Sequence, residues 1–361
     1  MKPPPPPVGF RFLLLSCLLL TGCSADQRVY NDRFLAFGTL VELTIADSGT
    51  EQAIRAAEAV EKDFQVMHRV WHAWDPGPLG RVNQLLKTGG RFAAPPSILP
   101  LITLGQDLSA KSGALFNPAI GHLIKAWGFH GGDHTDQRPP PRELIDKLLL
   151  QNPQMQDITV SGIYLQSSNP AVKLDFGAFG KGYGIDLAIA HLRKQGIENA
   201  ILNAGGDLRA IGSRFGNPWR IAIRHPGENG VIAALLIQGD ESVFTSGNYE
   251  RRFRWQGKSY HHIIDPRTGY PAQGTASVTV VHSDAVTADA AATALFIAGP
   301  EQWHSIARAM GLRYVLLIDQ DGTLHMNPAM QERLELTGSD YKINITPPLI
   351  EHPADSRHWK S

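Results

Sequence analysis

Cysteine is nearly missing from this chain. Of its 361 residues only Cys17 and Cys23 carry thiols, the first in an N-terminal segment that reads as a removable signal and the second directly after it, where it would be modified. A disulfide framework, a thiolate metal site and a cysteine nucleophile are therefore excluded from the mature protein. An excess of one charge is missing too, since 34 Lys plus Arg balance 34 Asp plus Glu. No global field gathers a polyanion, and a nucleic-acid role is disfavoured. Long apolar runs are confined to Phe12 to Leu20, too short for a folded protein's membrane anchor. What is present is ample core material, with 43% hydrophobic residues, for one large domain or two modest ones sharing a cleft.

Lys2 and Arg11 flank the apolar run on its N-terminal side, as in a signal peptide. The run ends LLLTGC, and Leu20, Thr21, Gly22 and Cys23 match the lipobox of bacterial lipoproteins, whose cysteine is lipidated and becomes the mature N-terminus. A cleaved secretory signal with an incidental cysteine is the alternative, and both readings export the chain. Ser24 in place of Asp leans toward the outer membrane, with the inner membrane left open. The expected organisation is a signal over 1–22, a tether over 23–32, a domain of two lobes over 33–346 and a disordered tail over 347–361. The expected location is periplasm-facing, touching a bacterial membrane through the lipid alone.

Along the domain, FGTLVELTIA alternates apolar and polar residues, so Arg33 to Ala46 reads as a strand. Ile54, Ala57, Val60, Phe64, Met67 and Trp71 recur at helical spacing. Further helices are expected over Pro95 to Ser112, from the glycine-rich turn at Gly180 to Gly196, over Ala288 to Ile297 and over Pro300 to Met310. Strands are expected at LDFG, at ILNAGGDL, over Trp219 to His225, Val231 to Gln238 and Ala276 to His282, with a hairpin across Asp321 and Gly322. Gly131 to Pro141 is a polar, proline-rich loop. Strands and helices mixed in this way, with no internal repeat, predict an α+β fold rather than a doubly wound one.

Three constellations carry chemistry. In VTADAAATALFIAG, Asp289 and Thr293 are four residues apart, so on a helix both oxygens leave one face. Hard oxygen donors suit Mg²⁺ rather than zinc, although Asp289 could instead cap the helix beside Thr287. In HHIIDPRTGYPA, His262 is the best base candidate, because imidazole titrates near neutrality; a histidine satisfied by local backbone is the plain alternative. Asp265 and Arg267 shape the turn that follows. GAFGKG fails as a phosphate loop because Asp175 stands where the first Gly is needed and Gly182 follows Lys181. What survives is a glycine-rich turn that a ligand can approach closely, with Lys181 as a cation or as an ordinary solvated helix-start lysine.

Together with NAGGDL (203–208) and TSGNYERRF (245–253), these segments resemble, in order, the FAD:protein FMN transferase family, the ApbE-like flavin transferases. The resemblance runs from about Phe34 to Pro328. It implies an ApbE-like, T-fold-like α+β arrangement of antiparallel sheets and helices, with the ligand in a cleft between two lobes. It implies that Phe37 and Trp74 can cover the flavin, with simple packing as the alternative. It places Leu115, Phe116, Asn117, Asp175, Lys181 and Ile264 against FAD, with Asn117 where the family has Asp. It makes the Ala178 carbonyl, Asp289 and Thr293 the ligands of Mg²⁺, with Mn²⁺ as the alternative, and gives His262 and Lys181 catalytic roles. Asn203, Gly205, Gly206 and Asp207 would build the cleft wall.

The implied reaction moves FMN from FAD to a threonine hydroxyl of an exported acceptor flavoprotein, such as a membrane redox subunit, and releases AMP. The rivals are an FAD pyrophosphatase giving FMN and AMP, and a non-catalytic flavin-binding accessory lipoprotein. A serine hydrolase built on Ser246 is remote, because TSGNY is not a nucleophile elbow.

Overall fold

A computed structural model describes residues 1–3, 28–130, 137–237 and 239–350. Cys23, residues 4–22 of the expected signal, 23–27 of the expected tether, 131–136 of the polar loop and the tail beyond 350 lie outside the described residues.

A nine-stranded sheet runs in the order Val29–Ala36, Thr39–Ala46, Ala200–Ala204, Asp207–Ile211, Glu241–Gly247, Thr275–His282, Tyr314–Asp319, Leu324–Met326 and Ile343–Ile345. Every neighbouring pair is antiparallel except the last, which is parallel. The α+β expectation holds. Three long helices cover one face: Thr50–Trp71, the glycine-rich helix Gly180–Lys194 and the alanine-rich helix Ala285–Ala309. The other face carries the small sheet of Trp219–Arg224, Val231–Ile237 and Leu334–Leu336 over a second apolar cluster. The central strand Thr275–His282 is buried on both faces, with Val278, Val280 and Val281 in the core and the Thr279 hydroxyl between them bonded to that of Thr245 at 2.9 Å.

The helix Thr50–Trp71 follows its sequence pattern, burying Ala53, Ala57, Val60, Phe64, Met67 and Trp71 on one stripe. The alanine-rich helix breaks at Gly299 (φ 71°, ψ 179°), so the two expected helices abut at Pro300. The hairpin at Asp321 and Gly322 is also present.

Four expectations need correction. The single strand expected from Arg33 to Ala46 is a hairpin starting at Val29, within the expected tether, because Phe37 (φ 52°) and Gly38 (φ 71°) form a two-residue turn between Ala36 and Thr39. ILNAGGDL is likewise a hairpin, turned at Gly205 (φ 69°) and Gly206 (φ 101°). LDFG is not a strand. Its backbone groups are satisfied instead by Asn83, whose side chain bonds both the Leu174 N–H (2.7 Å) and its carbonyl (2.9 Å), and by the Pro118 carbonyl, which accepts from Asp175 at 2.9 Å. At the C-terminus, Leu349 is buried in the core, inside the stretch expected to be disordered.

Candidate active site

The glycine-rich helix crosses the alanine-rich helix at Gly182. A Cβ there would collide with the Ala285 carbonyl oxygen and stand 2.9 Å from the Asp289 Cβ. The close approach lets the Gly182 N–H donate to Asp289 Oδ2 at 2.9 Å. Asp186, one turn further along the glycine-rich helix, accepts from the N–H groups of Ala285 (2.8 Å) and Val286 (2.9 Å) and pairs with Arg209. Asp284 accepts the Thr287 N–H as the helix cap. Capping is therefore done by other carboxylates, and Asp289 is left for the interior.

One cavity of about 480 Å³ opens at this crossing, within the range of small-molecule sites. Phe37, Trp74, Leu115, Phe116, Asn117, Asp175, Ala178, Lys181, His262, Ile264, Asp289 and Thr293 all line it. Of the expected cleft-wall residues, Gly205 and Asp207 also line it, whereas Asn203 and Gly206 do not, the Asn203 side chain accepting the Gly206 N–H in the turn at 2.8 Å. The cavity walls come from two separate apolar clusters: the main core, and a smaller one holding Ile120, Trp127, Phe129, Phe253 and Ile264.

Charge in the cavity is paired unevenly. The Lys181 ammonium closes on Asp207, whose other oxygen accepts the Thr245 N–H at 2.9 Å. Burial works against the lysine's charge, but Asp207 and Asp289 hold its pKa above the ordinary value. Burial pushes the Asp289 carboxyl up to about 8, against the pull of Lys181. Burial also raises the Asp175 carboxyl, opposed by the Gly177 N–H at 2.8 Å and by Arg251. His262 is held well below 6.5 by burial, with Arg251 adding to the effect. Its backbone N–H donates to the Arg251 carbonyl at 3.1 Å, while its ring Nδ1 is buried without a hydrogen-bond partner among the described residues. His261 is spent on structure, its Nε2 on the Ala272 carbonyl at 2.9 Å.

The aromatic wall has two parts. Phe37 stacks on Trp71 with ring centroids 6.1 Å apart. Trp74 stacks on His130 at 4.5 Å and carries the Lys173 ammonium 4.1 Å from its ring centroid. Asn117 has its own local work: its Nδ2 donates to the Pro153 carbonyl at 2.9 Å and its Oδ1 accepts the Ala119 N–H at 3.0 Å. An aspartate could not make the first of these bonds. Asp265 accepts the Arg267 N–H at 2.8 Å and holds its guanidinium, which also reaches the Ile297 carbonyl at 3.2 Å. The turn after His262 is thereby tied to the end of the helix that bears Asp289 and Thr293.

Residues 37–316 match the model of the ApbE family. The chain belongs to the ApbE family. It is 42% identical to the FAD:protein FMN transferase of Rhodobacter capsulatus, over 90% of this chain but 62% of that protein. It is 32% identical to an FAD:protein FMN transferase of Klebsiella pneumoniae, over 88% of this chain and 98% of that one. The crystal structure of the ApbE protein of Thermotoga maritima superimposes with a TM-score of 0.78 at 30% identity, covering 85% of this chain and 99% of that chain. The family's α+β fold, a transferase fold in these relatives, is the fold observed here.

The donors present fit a hard divalent cation. One Asp289 oxygen accepts the Gly182 N–H; the Thr293 hydroxyl makes no hydrogen bond among the described residues, and both side chains line the cavity. A helical threonine hydroxyl ordinarily bonds the preceding turn, so this one is available. Among the described residues no three His, Cys, Asp or Glu side chains cluster as a metal cage, which leaves a mixed set of carboxylate, hydroxyl and carbonyl. Sequence reasoning missed Arg251. It sits in the quoted segment TSGNYERRF, but two adjacent arginines in a polar stretch give no sign of which one faces a cavity.

Proposed function

We propose that this protein transfers FMN from FAD to a threonine hydroxyl of an exported acceptor protein and releases AMP. The observation that carries the reading is the convergence, in one cavity, of a neutral imidazole, the Asp289 carboxyl and Thr293 hydroxyl side by side on one helix, and a flat aromatic wall.

Phe37 and Trp74 would cover the isoalloxazine and exclude water from it. Asp289, Thr293 and the Ala178 carbonyl would hold Mg²⁺, or Mn²⁺, which when bound neutralises charge on the diphosphate. His262 takes the proton of the acceptor hydroxyl as its oxygen bonds to the FMN phosphorus. The bond from that phosphorus to the bridging oxygen breaks, and the oxygen leaves on AMP. Lys181, held by Asp207, fixes the floor of the cavity beside Asp289. The N-terminal signal and lipobox support an exported protein held at a membrane by lipid on Cys23, and a Cys23→Ser variant released from the membrane fraction is the expected outcome.

The deciding experiment incubates the protein with FAD, Mg²⁺ and a co-exported acceptor and seeks an FMN adduct on threonine by mass spectrometry. Chelation with EDTA should abolish the adduct. AMP formed at the full rate without acceptor would instead establish a pyrophosphatase, and no AMP under either condition would leave only flavin binding.

A further inference from the structure

The resemblance gives Lys181 a charge-balancing role toward FAD, yet its ammonium is already closed on Asp207. A cation so matched has little net charge to offer a diphosphate. Arg251 is placed differently. It lines the same cavity as Asp175, Lys181, His262 and Asp289, and Asp175 and Glu250 attract its charge through space without closing on it as Asp207 closes on Lys181. It is also fixed relative to the base candidate. Arg252–Trp255 and Lys258–His261 form a two-stranded ribbon in which Arg252 faces His261, so Arg251 and His262 follow as the next pair, joined by the His262 N–H bond to the Arg251 carbonyl at 3.1 Å. Paired positions send their side chains to the same face.

A guanidinium presents a planar fork that matches two oxygens of a phosphate, and it stays charged throughout the pH range of any enzyme. We propose that Arg251 is the residue that grips the dinucleotide's diphosphate, presenting the FMN phosphorus to a hydroxyl activated by His262. This assignment rests on the FMN-transfer reading. Arg251 neither gives nor takes a proton: the hydroxyl proton passes to His262, and the bridging oxygen departs on AMP with its bonding electrons.

The test compares Arg251→Gln, Arg251→Lys and Arg251→Ala with the parent in the full chain with Mg²⁺. In Arg251→Gln, kcat/KM for FAD should fall on the order of 10- to 100-fold, the size expected for lost hydrogen bonds to a charged group. Arg251→Lys should recover part of the loss, and free guanidinium should partly rescue Arg251→Ala. Riboflavin has no phosphate and should bind parent and Arg251→Gln alike. Inorganic pyrophosphate should compete with FAD in the parent and at least tenfold more weakly in Arg251→Gln. Unchanged kcat/KM with unchanged pyrophosphate inhibition would overturn the proposal, and so would riboflavin affinity falling in step with FAD. If the parent forms no FMN adduct, the transfer reading fails, and direct pyrophosphate binding to parent and Arg251→Gln still decides whether Arg251 holds a diphosphate.

Discussion

A general base must be neutral before it can act, and the surroundings of His262 enforce that. Burial and the Arg251 charge hold its pKa well below 6.5, so transfer should persist as pH falls through 6.5 and decline only lower, where the imidazole protonates. Folding responds in the opposite sense from a salt-bridged histidine. Below about 6.5 the unfolded chain binds a proton that the native His262 refuses, so stability is lost as pH falls from there toward the depressed value. His262→Ala should still bind FAD, lose on the order of 10²–10⁴ in transfer rate and show a shallower loss of stability in acid. Stopped-flow transfer and urea denaturation across pH 4–8 check both; a variant that labels acceptor at the parent rate would sink the base assignment. Asn117 makes a second prediction. Its amide donates to the Pro153 carbonyl, and Asn117→Asp would set a carboxylate against that oxygen, at a cost of about 1–3 kcal/mol for the unmatched buried acceptor. The denaturant midpoint should fall accordingly. These two residues also show what a sequence can carry. The place of His262 in the cavity was legible because an imidazole that titrates near neutrality stands out as a base candidate, whereas the reason for Asn117 lay 36 residues away in a carbonyl that no local pattern reveals.

At the scale of elements, the site depends on how closely two helices approach. Gly182 is where they touch, and its N–H orients Asp289. Gly182→Ala should destabilise by roughly 1–3 kcal/mol, as overpacked contacts do, and should displace Asp289 enough to weaken Mg²⁺ binding. Gly49→Ala is the matched control, since nothing lies within 4 Å of a Cβ at that position, and its denaturation midpoint should stay near the parent's. Equal midpoints for the two variants would contradict the contact. The helix Thr50–Trp71 was readable from periodicity because it buries one stripe, whereas the alanine-rich helix is buried on nearly every side from Ala285 to Gly299 and carries no such period. The hairpins at Phe37 and Gly205 were not readable, for two different reasons. Phe37 occupies left-handed backbone that bulky residues seldom adopt, so nothing in its identity announces a turn. In ILNAGGDL the paired glycines did announce one, but the flanking strands are five residues each and read as one run. LDFG looked like a strand because its composition suits one, while its hydrogen bonds go to Asn83 and the 117–120 loop, partners distant in the sequence.

Across the whole molecule, the cavity lies where two apolar clusters meet, the main core under the long helices and the smaller one around Trp127. Phe37, Trp74, Leu115 and Phe116 belong to the first, and Ile120, Phe129 and Ile264 to the second, so a ligand filling the cavity touches both and favours the state in which they are assembled. Anything that binds the native chain and not the unfolded one stabilises it by mass action, about 2.7 kcal/mol at one hundred times Kd, enough for a rise of several degrees in Tm in a chain of this size. FAD with Mg²⁺ should therefore raise Tm more than FAD alone, because the cation joins Asp289 and Thr293 of the alanine-rich helix to the diphosphate. Asp289→Asn should abolish the Mg²⁺-dependent part of that rise and keep the flavin-dependent part, which riboflavin measures separately. Differential scanning fluorimetry of parent and variant with riboflavin, FAD, and FAD plus Mg²⁺ separates the contributions. A Mg²⁺ increment of equal size in both proteins would move the cation away from the helix crossing and take with it the role assigned to Asp289.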